Sequence, residues 1–186
     1  MLKEELENYQ PYNKQEEKDK ETMLFYCNSF SDVLTRKNIF GHFTSSAIIV
    51  NPTRDKVLFI YHNIYNSWAW VGGHADGEAD LLAVACREVT EETGIKNLKV
   101  LTNQIFAIDI LPVFGHVKRG EYVSAHQHLN VTYLLEAEET EELSIKEDEN
   151  SGVKWIPIKE IRNYATEPQM YPVYEKIIGK MKELDI

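Results

Sequence analysis

The chain has 186 residues, of which 43% are hydrophobic and 27% are charged, a composition that suits one globular domain with a single core. Its formal net charge of −10 repels a phosphate backbone, which argues against general nucleic-acid binding. Two cysteines, Cys27 and Cys86, provide no disulfide framework. Residues 1–20 lack the apolar core of a signal peptide, and no stretch approaches the ~20 apolar residues that span a bilayer. We therefore expect a cytoplasmic protein that makes no membrane contact.

The N-terminal part of the chain predicts helices. Lys3–Leu6 and Lys14–Tyr26 carry partial apolar stripes at helical spacing. A further short helical turn is expected to begin at Ser31 or Asp32 and to end at Gly41.

A β-hairpin is predicted next. Ser46–Val50 and Val57–Tyr61 are apolar and rich in β-branched residues, and a turn-like segment, residues 51–55, separates them. The aromatic strand Trp68–Val71 then leads directly into two glycines, Gly72 and Gly73.

The segment that follows the glycines combines a turn with an acidic helix. Glu88, Glu91 and Glu92 are spaced three and four residues apart, so they are neighbours on a helix surface. Each pair of like charges at this spacing costs an isolated helix a few tenths of a kcal/mol. Carboxylates gathered against that repulsion indicate a divalent cation, and oxygen ligands favour magnesium or manganese over zinc.

Candidate capping residues predict where this helix begins and ends. Asp80 is a suitable N-cap, and Gly94 is a suitable C-terminal stop. At 100° per residue, Glu88 and Glu92 lie along one margin of the apolar stripe, between core and cleft. The stripe is formed by Leu81, Leu82, Ala85 and Val89.

The remaining elements alternate between strands and helices. Strands are predicted at Val100–Val113, Tyr122–Val123, Leu129–Leu135 and Ser151–Pro157, a solvated acidic loop at Glu136–Glu149, and helices at Lys159–Tyr164 and Val173–Leu184. This order predicts an α+β fold with a mixed sheet covered on two sides. We expect an N-terminal helical extension, residues 1–40, packed on a main domain, residues 41–186.

A second group of candidate residues lies between Phe114 and His128. Lys118 and Arg119 are cations in an acidic chain and are candidates for binding substrate phosphates. His126 and His128 alternate, so on a strand they share one face and are further candidates for substrate contact. A metal site formed by two histidines is conceivable, but no third ligand at zinc-like spacing is evident.

The acidic helix and its glycine turn resemble the signature of the Nudix hydrolases. That signature reads Gly, five residues, Glu, seven residues, then Arg-Glu-hydrophobic-any-Glu-Glu-any-Gly-hydrophobic. Counted from Gly73, the segment Arg87–Ile95 matches at every position. The position of the first glutamate is occupied by Ala79, and Glu78 and Asp80 stand on either side as alternative replacements.

The resemblance implies an αβα sandwich and roles for particular residues. Glu88, Glu91 and Glu92 are expected to bind Mg²⁺ or Mn²⁺, and any one of the three is a candidate for the catalytic base. The backbone carbonyl of Gly72 is a further expected metal ligand, and Arg87 is expected to brace carboxylates of the loop and the helix. Some members supply an extra carboxylate from a loop, for which Glu149 is the candidate.

The resemblance also implies an activity, with two alternatives. We expect magnesium-dependent hydrolysis of a phosphoanhydride bond in a small nucleoside-diphosphate-type or related compound, and family habit allows a homodimer. A non-catalytic Nudix-fold nucleotide-binding or sensor domain is the first alternative, favoured by the displaced first glutamate. The second is an isopentenyl-diphosphate-isomerase-like enzyme, which needs a catalytic cysteine in a loop, a position that neither Cys27 nor Cys86 occupies.

Overall fold

The computed structural model describes residues 2–118 and 120–184. It shows a mixed β-sheet with helices on both faces. The helices are α1 (Leu2–Asn8), α2 (Lys14–Ser29), α3 (Leu81–Thr93), α4 (Ile161–Tyr164) and α5 (Tyr171–Glu183), with short 3-10 turns at Ile158–Glu160 and Pro168–Met170. The strands are β1 (Gly41–Val50), β2 (Lys56–His62), β3 (Ser67–Ala69), β4 (Val71–His74), β5 (Lys99–Val100), β6 (Ala107–Val113), β7 (His116–Lys118), β8 (Glu121–Val123), β9 (His126–Glu136) and β10 (Asn150–Pro157).

The strand order explains why the sheet is mixed. The main path runs β10-β2-β1-β9-β5, with β3 paired to β2, β4 to β1 and β6 to β9. The β1–β9 pair is parallel, whereas the other pairs are antiparallel. Strands β7 and β8 form a separate hairpin. The predicted mixed sheet and the β1–β2 hairpin are confirmed.

Two apolar layers hold the helices against the sheet. On one face, Leu6 of α1, Met23 of α2 and Leu81 of α3 pack in a common core and are almost completely buried. On the other face, Tyr174 and Ile177 of α5 pack against the opposite side of the same strands. The predicted αβα arrangement is therefore confirmed. Within the described residues, no helix is long and apolar enough to cross a bilayer.

A buried ionic contact ties the N-terminal helix α2 to the C-terminal helix α5. The Lys176 ammonium lies 3.1 Å from Glu16 Oε1 and 2.7 Å from Asp109 Oδ1, and all three side chains are buried. Removing one partner of such a network leaves an uncompensated buried charge, which is strongly destabilising.

Polar side chains in the sheet fix the register of β1 against β9. The hydroxyls of Thr44 and Ser46 donate to Asn130 Oδ1 at 2.9 and 2.8 Å. A slip of one residue would turn every side chain of the strand to the other face, so these hydrogen bonds specify the pairing. In this register His42 lies directly opposite His128.

Two local predictions are wrong. The expected strand Val100–Val113 is interrupted by a loop, because the N–H groups of Leu101 and Phe106 bond to carbonyls only two residues apart on β9. The segment between those two residues therefore leaves the sheet.

The second error concerns the segment before β1. The expected helical turn after Ser31 is a pair of turns, closed by bonds from Thr35 N–H to the Asp32 carbonyl and from Asn38 N–H to the Thr35 carbonyl. Asn38 Oδ1 then accepts from the N–H groups of Phe40 and Gly41, so Gly41 begins a strand instead of ending a helix.

Candidate active site

Helix α3 carries two glutamates at the margin of its buried face. Asp80 caps its N-terminus by accepting a hydrogen bond from Ala83 N–H at 3.0 Å, and Gly94 ends it with a left-handed φ of 79°. Both predicted helix ends are confirmed. The predicted position of Glu88 and Glu92 is also confirmed, since only 12% of the Glu88 side chain and 2% of Glu92 are exposed.

Three carboxylates converge beside α3. One oxygen from each of Glu88, Glu92 and Glu149 lies within 4.8 Å of the other two. Glu149 precedes β10, and its carbonyl accepts a hydrogen bond from Asn63 N–H at 3.0 Å, which fixes the loop to the β2–β3 turn. We call Glu88, Glu92 and Glu149 the carboxylate group.

Glycines let β4 approach the carboxylate group closely. A Cβ on Gly73 would lie 2.5 Å from Glu88 Cδ, and a Cβ on Gly72 would lie 2.5 Å from Ser46 Oγ and 2.7 Å from the Ser45 carbonyl oxygen. Neither position accommodates a side chain without displacement of its neighbours, which explains the pair of glycines before the helix.

Burial and mutual repulsion perturb the carboxylate group. Burial raises the pKa of Glu92 to about 9, with further increases from the charges of Glu88 and Glu149, while a backbone hydrogen bond from Gly72 opposes the shift. Burial likewise raises the pKa of Glu88. Glu92 Oε2 is buried and has no hydrogen-bond partner among the described residues. A buried carboxylate oxygen of this kind, beside two further carboxylates, fits a divalent cation with oxygen ligands.

Glu91 lies at the edge of this arrangement. Its side chain is 44% exposed, and its Oε2 is 2.9 Å from the ammonium of Lys146, which also lies 3.1 Å from Glu149. Burial lowers the pKa of Lys146, but hydrogen bonds to Glu91 and Glu149 outweigh that effect and raise it. Glu88, Glu91 and Glu92 therefore do not all converge at one point. Glu149 takes the third place beside Glu88 and Glu92, and Glu91 pairs with Lys146, which the sequence reasoning missed.

Arg87 contacts glutamates of its own helix. Its Nη2 lies 3.2 Å from Glu88 Oε1, and its Nε lies 3.9 Å from Glu91 Oε1. It thus holds the Glu88 carboxylate from the solvent side. Both contacts are to residues of α3. Among the described residues, Arg87 thus contacts carboxylates of the helix, as expected, but not carboxylates of the loop.

Two residues share the place of the first motif glutamate. Glu78 Oε1 accepts a hydrogen bond from Asp80 N–H at 2.9 Å, and Asp80 in turn caps α3. The support of loop and helix is therefore divided between the two residues on either side of Ala79.

A cavity next to β4 is lined by the histidines of the chain. Its volume is about 700 Å³, within the range of small-molecule sites. Exposed apolar side chains lie around it, among them Ile64, Tyr65, Phe114 and Tyr122. All six histidines line it, namely His42, His62, His74, His116, His126 and His128.

Four of these histidine rings pack together. The ring centroids of His42 lie 5.1 Å from His74, 5.0 Å from His126 and 5.3 Å from His128. Burial, with smaller contributions from neighbouring imidazoles, lowers the pKa of His128 to about 2. Burial also lowers the pKa of His42, so both rings are neutral at pH 7.

The two cations predicted to bind phosphate, Lys118 and Arg119, lie largely outside the described residues. Lys118 contributes its backbone to β7, and its side chain is outside the described part of the structure, as is the whole of Arg119. Arg36, which sequence reasoning did not single out, lines the cavity instead. A hydrogen bond to Asp76 raises the pKa of Arg36, and the charges of Glu149 and Glu88 raise it further. Arg36 therefore offers a guanidinium in the wall of the cavity.

Comparisons with known proteins identify the family of the chain. A family model described as the NUDIX domain matches residues 42–177. An RNA pyrophosphohydrolase of Pelagibacter ubique is 28% identical over 142 residues, which cover 73% of this chain and 89% of that protein. A probable DHNTP pyrophosphohydrolase of Lactococcus lactis is 30% identical over 98 residues, or 53% of this chain and 55% of that protein.

A solved structure shares the fold. The dihydroneopterin triphosphate pyrophosphohydrolase of E. coli superimposes with a TM-score of 0.57 and 15% identity, over 73% of this chain and 94% of that chain. The fold and site thus define an αβα-sandwich protein with a cluster of acidic residues. The chain belongs to the Nudix family. It is a pyrophosphohydrolase, an enzyme that hydrolyses a diphosphate bond, and the family generally uses a divalent metal.

Proposed function

We propose that this pyrophosphohydrolase acts on a nucleotide-type small molecule and that its metal is Mg²⁺. The observation that carries the proposal is the convergence of Glu88, Glu92 and Glu149 within 4.8 Å, with one buried oxygen of Glu92 lacking a partner. Carboxylate oxygens are the ligands that Mg²⁺ prefers.

The residues that would hold the ion lie on α3, on β4 and in the loop before β10. They are the carboxylate group, the backbone carbonyl of Gly72 and, from the edge, Glu91. When bound there, Mg²⁺ neutralises the charge of the diphosphate, polarises a phosphoryl oxygen and lowers the pKa of a water molecule. Phosphoryl transfer depends mainly on positioning and charge stabilisation, so no nucleophilic side chain is needed.

Arg36 is the cation best placed to bind phosphate oxygens of the substrate. It lines the cavity, and a guanidinium can bind a phosphate through two parallel hydrogen bonds. Asp76 holds it through Nε at 2.8 Å, which orients the guanidinium before a substrate arrives. Lys118 and Arg119, the cations named from the sequence, stay candidates for the same task.

The cavity would accept the group attached to the diphosphate. Tyr65 and Tyr122 offer exposed aromatic rings against which a flat heterocycle can stack. His126 offers an imidazole nitrogen for a hydrogen bond to it, and His128 lies in the wall of the same cavity. The relatives named for RNA and for DHNTP support a nucleotide-type compound, and the net charge of −10 favours a small molecule over a polynucleotide.

Product analysis over a substrate panel tests this proposal. The panel contains nucleoside triphosphates, dihydroneopterin triphosphate, dinucleoside polyphosphates, a nucleotide sugar and a 5′-triphosphate RNA, each with Mg²⁺. We expect Glu92→Gln and Glu149→Gln to lower kcat about 100-fold or more, the scale on which one electrostatic stabiliser of a transition state acts. Glu91→Gln is expected to lose less, because Glu91 lies at the edge.

Glu142→Gln is the matched control, since Glu142 is an exposed glutamate of the same acidic loop. Its activity is expected to equal that of the wild type. Full activity of both Glu92→Gln and Glu149→Gln would refute the assignment of the carboxylate group. Turnover of the RNA alone would refute the choice of a small molecule.

The two alternatives considered from the sequence receive no support from the site. A sensor domain would bind nucleotides tightly in calorimetry without turnover, whereas the relatives are named as hydrolases. An isomerase would need a reactive thiol, but burial raises the pKa of both Cys27 and Cys86. The cytoplasmic location, the homodimer and the boundary after residue 40 stay predictions.

A further inference from the structure

The histidine cluster in the cavity has the chemistry of a transition-metal site. It is formed by His42 on β1, His74 on β4 and His128 on β9, each of which offers one ring nitrogen within 4.8 Å of the other two. Three imidazoles suit zinc and its neighbours in the periodic table, whereas Mg²⁺ prefers oxygen ligands. The cluster is thus chemically distinct from the carboxylate group.

The sheet itself brings these side chains together. In the β1–β9 register His42 is the partner of His128, and in the β1–β4 register His74 is the partner of Thr44, two residues after His42. Residues two apart on a strand share a face, so all three rings emerge on one side. Because three strands of the central sheet carry them, the ligands stand on a rigid support.

A hydrogen bond fixes the tautomer of His42 that can bind a metal ion. Its Nδ1 lies 3.2 Å from the Asn38 carbonyl oxygen, an acceptor, so Nδ1 carries the proton and Nε2 carries the lone pair. A metal-bound histidine commonly donates its other N–H to a backbone carbonyl in this way.

The ligand nitrogen of His42 lacks a partner. His42 is 4% exposed, and its Nε2 is buried without a hydrogen-bond partner among the described residues. An unsatisfied buried nitrogen is costly, and a cation that accepts its lone pair removes the cost.

The dimensions are compatible with zinc. Zn–N bonds of about 2.0–2.1 Å in a tetrahedral site place ligand nitrogens about 3.4 Å apart. The three nitrogens lie within 4.8 Å of one another, so each pair would need to approach by at most about 1.4 Å to reach that spacing. Three protein ligands would leave a fourth position for another ligand, and the cavity that all three residues line provides the entry path.

We propose that His42, His74 and His128 bind a zinc ion in the wall of the cavity, at a site separate from the carboxylate group. All three histidines line the cavity in which the substrate is proposed to bind. His126 stacks on His42 at 5.0 Å but lies outside the three-nitrogen group, so it is expected to support the site without binding the ion.

Zinc binding to the metal-free full-length chain tests the proposal without any measurement of turnover. The protein is treated with a chelator, dialysed against Zn²⁺ in excess Mg²⁺, and its metal content is quantified. Co²⁺ serves as a spectroscopic probe, because tetrahedral coordination gives strong visible absorption bands. We expect one zinc per wild-type chain and one per chain of the Glu88→Gln/Glu92→Gln variant.

Substitutions of two ligands identify the site. In His74→Gln and His128→Gln we expect zinc affinity to fall more than about 100-fold, since losing a ligand exceeds the roughly 10- to 100-fold effect of losing a group that supports one. His116→Gln is the matched control, because His116 lines the same cavity outside the three-nitrogen group. Circular dichroism on each variant establishes that it is folded.

Three results would overturn the proposal. The first is a folded wild type that binds no stoichiometric zinc. The second is zinc binding that survives both histidine substitutions. The third is zinc binding lost in Glu88→Gln/Glu92→Gln but kept in the histidine variants, which would place the ion on the carboxylates. None of these depends on hydrolysis, so failure of the zinc site and failure of the proposed function are distinguishable.

Discussion

Lys146 of the acidic loop forms an ion pair with Glu91 of α3, with 2.9 Å between Nζ and Oε2. The same ammonium lies 3.1 Å from Glu149, a member of the carboxylate group. A cation of the protein therefore neutralises part of the negative charge that a metal ion would otherwise meet. The lysine and a bound metal compete electrostatically for the same carboxylates.

Replacing this lysine is expected to ease metal binding. In Lys146→Met the Mg²⁺ concentration for half-maximal activity should fall about fivefold, which corresponds to about 1 kcal/mol for a partly exposed ion pair. A titration of activity against Mg²⁺ measures it. Lys159→Met, at an exposed position of the 3-10 turn after β10, is the control and should match the wild type. A higher Mg²⁺ requirement in Lys146→Met would mean that the lysine instead positions Glu91 and Glu149.

Gly73 is expected to be required for the position of Glu88. In Gly73→Ala the new Cβ would lie 2.5 Å from Glu88 Cδ, so the carboxylate must move. We expect kcat to fall on the order of 100-fold, because a displacement of about 1 Å near the reacting atoms can cost that much. Steady-state kinetics at saturating Mg²⁺ measures this loss.

A control glycine lies on α5. Gly179→Ala places its Cβ 3.3 Å from the Tyr12 hydroxyl, a contact that the side chain can relieve, and should keep wild-type kcat. Wild-type kinetics in Gly73→Ala would show that Glu88 tolerates the shift and is not held by the close approach of β4.

Helix capping separates the roles of Asp80 and Glu78. Asp80→Ala removes the side-chain cap of α3 and should lower the free energy of unfolding by about 1 kcal/mol. Glu78→Ala removes a single exposed hydrogen bond to Asp80 N–H and should cost less. Urea denaturation of both variants measures the difference. A larger loss in Glu78→Ala would identify Glu78 as the principal support of the loop.

His128 makes the stability of the metal-free protein depend on pH. Its pKa is lowered to about 2 in the folded state, so the unfolded chain binds a proton below its ordinary pKa of about 6.5 while the folded chain does not. Stability contributed by the neutral ring is therefore present above that pKa and is lost as the pH falls. The raised pKa of Glu92, about 9, acts in the opposite direction, so the comparison must be made between variants.

The matched variant is His128→Gln, measured in chelator. Relative to this variant, the wild type should lose about 1 kcal/mol of unfolding free energy between about pH 6 and about pH 5. Denaturant melts at several pH values measure it. Parallel pH profiles for the two proteins would contradict the buried, neutral state of this ring.

Helix α3 was predictable because its information is local. The cap at Asp80, the stop at Gly94 and the spacing of Glu88 and Glu92 all lie within fifteen residues, so helical periodicity places them correctly. The interruption of the strand after Val100 was not predictable, because the same apolar sequence is compatible both with one continuous strand and with two strands joined by a loop. Only the pairing with β9 decides between them.

The remaining site residues come from distant segments of the chain. Glu149 and Lys146 lie more than fifty residues after α3, in an acidic run that reads equally well as a solvated loop. Of the two-histidine pattern at His126 and His128, only His128 belongs to the proposed zinc site, and the other two histidines of that site come from β1 and β4. Strand pairing brings such residues together, and no local periodicity in the sequence indicates which strands pair.

Arg36, Asn38 and Ile39 line the cavity but precede residue 42, where the match to the Nudix family begins. The carboxylate group therefore lies within the matched domain, whereas part of the cavity wall belongs to the segment that precedes it. Two proteins could share every residue of the signature and still differ in what they cleave, simply by differing in the few residues ahead of the first strand. Transfer of a substrate name from one relative to another is thus sound only when this leading segment is shared as well.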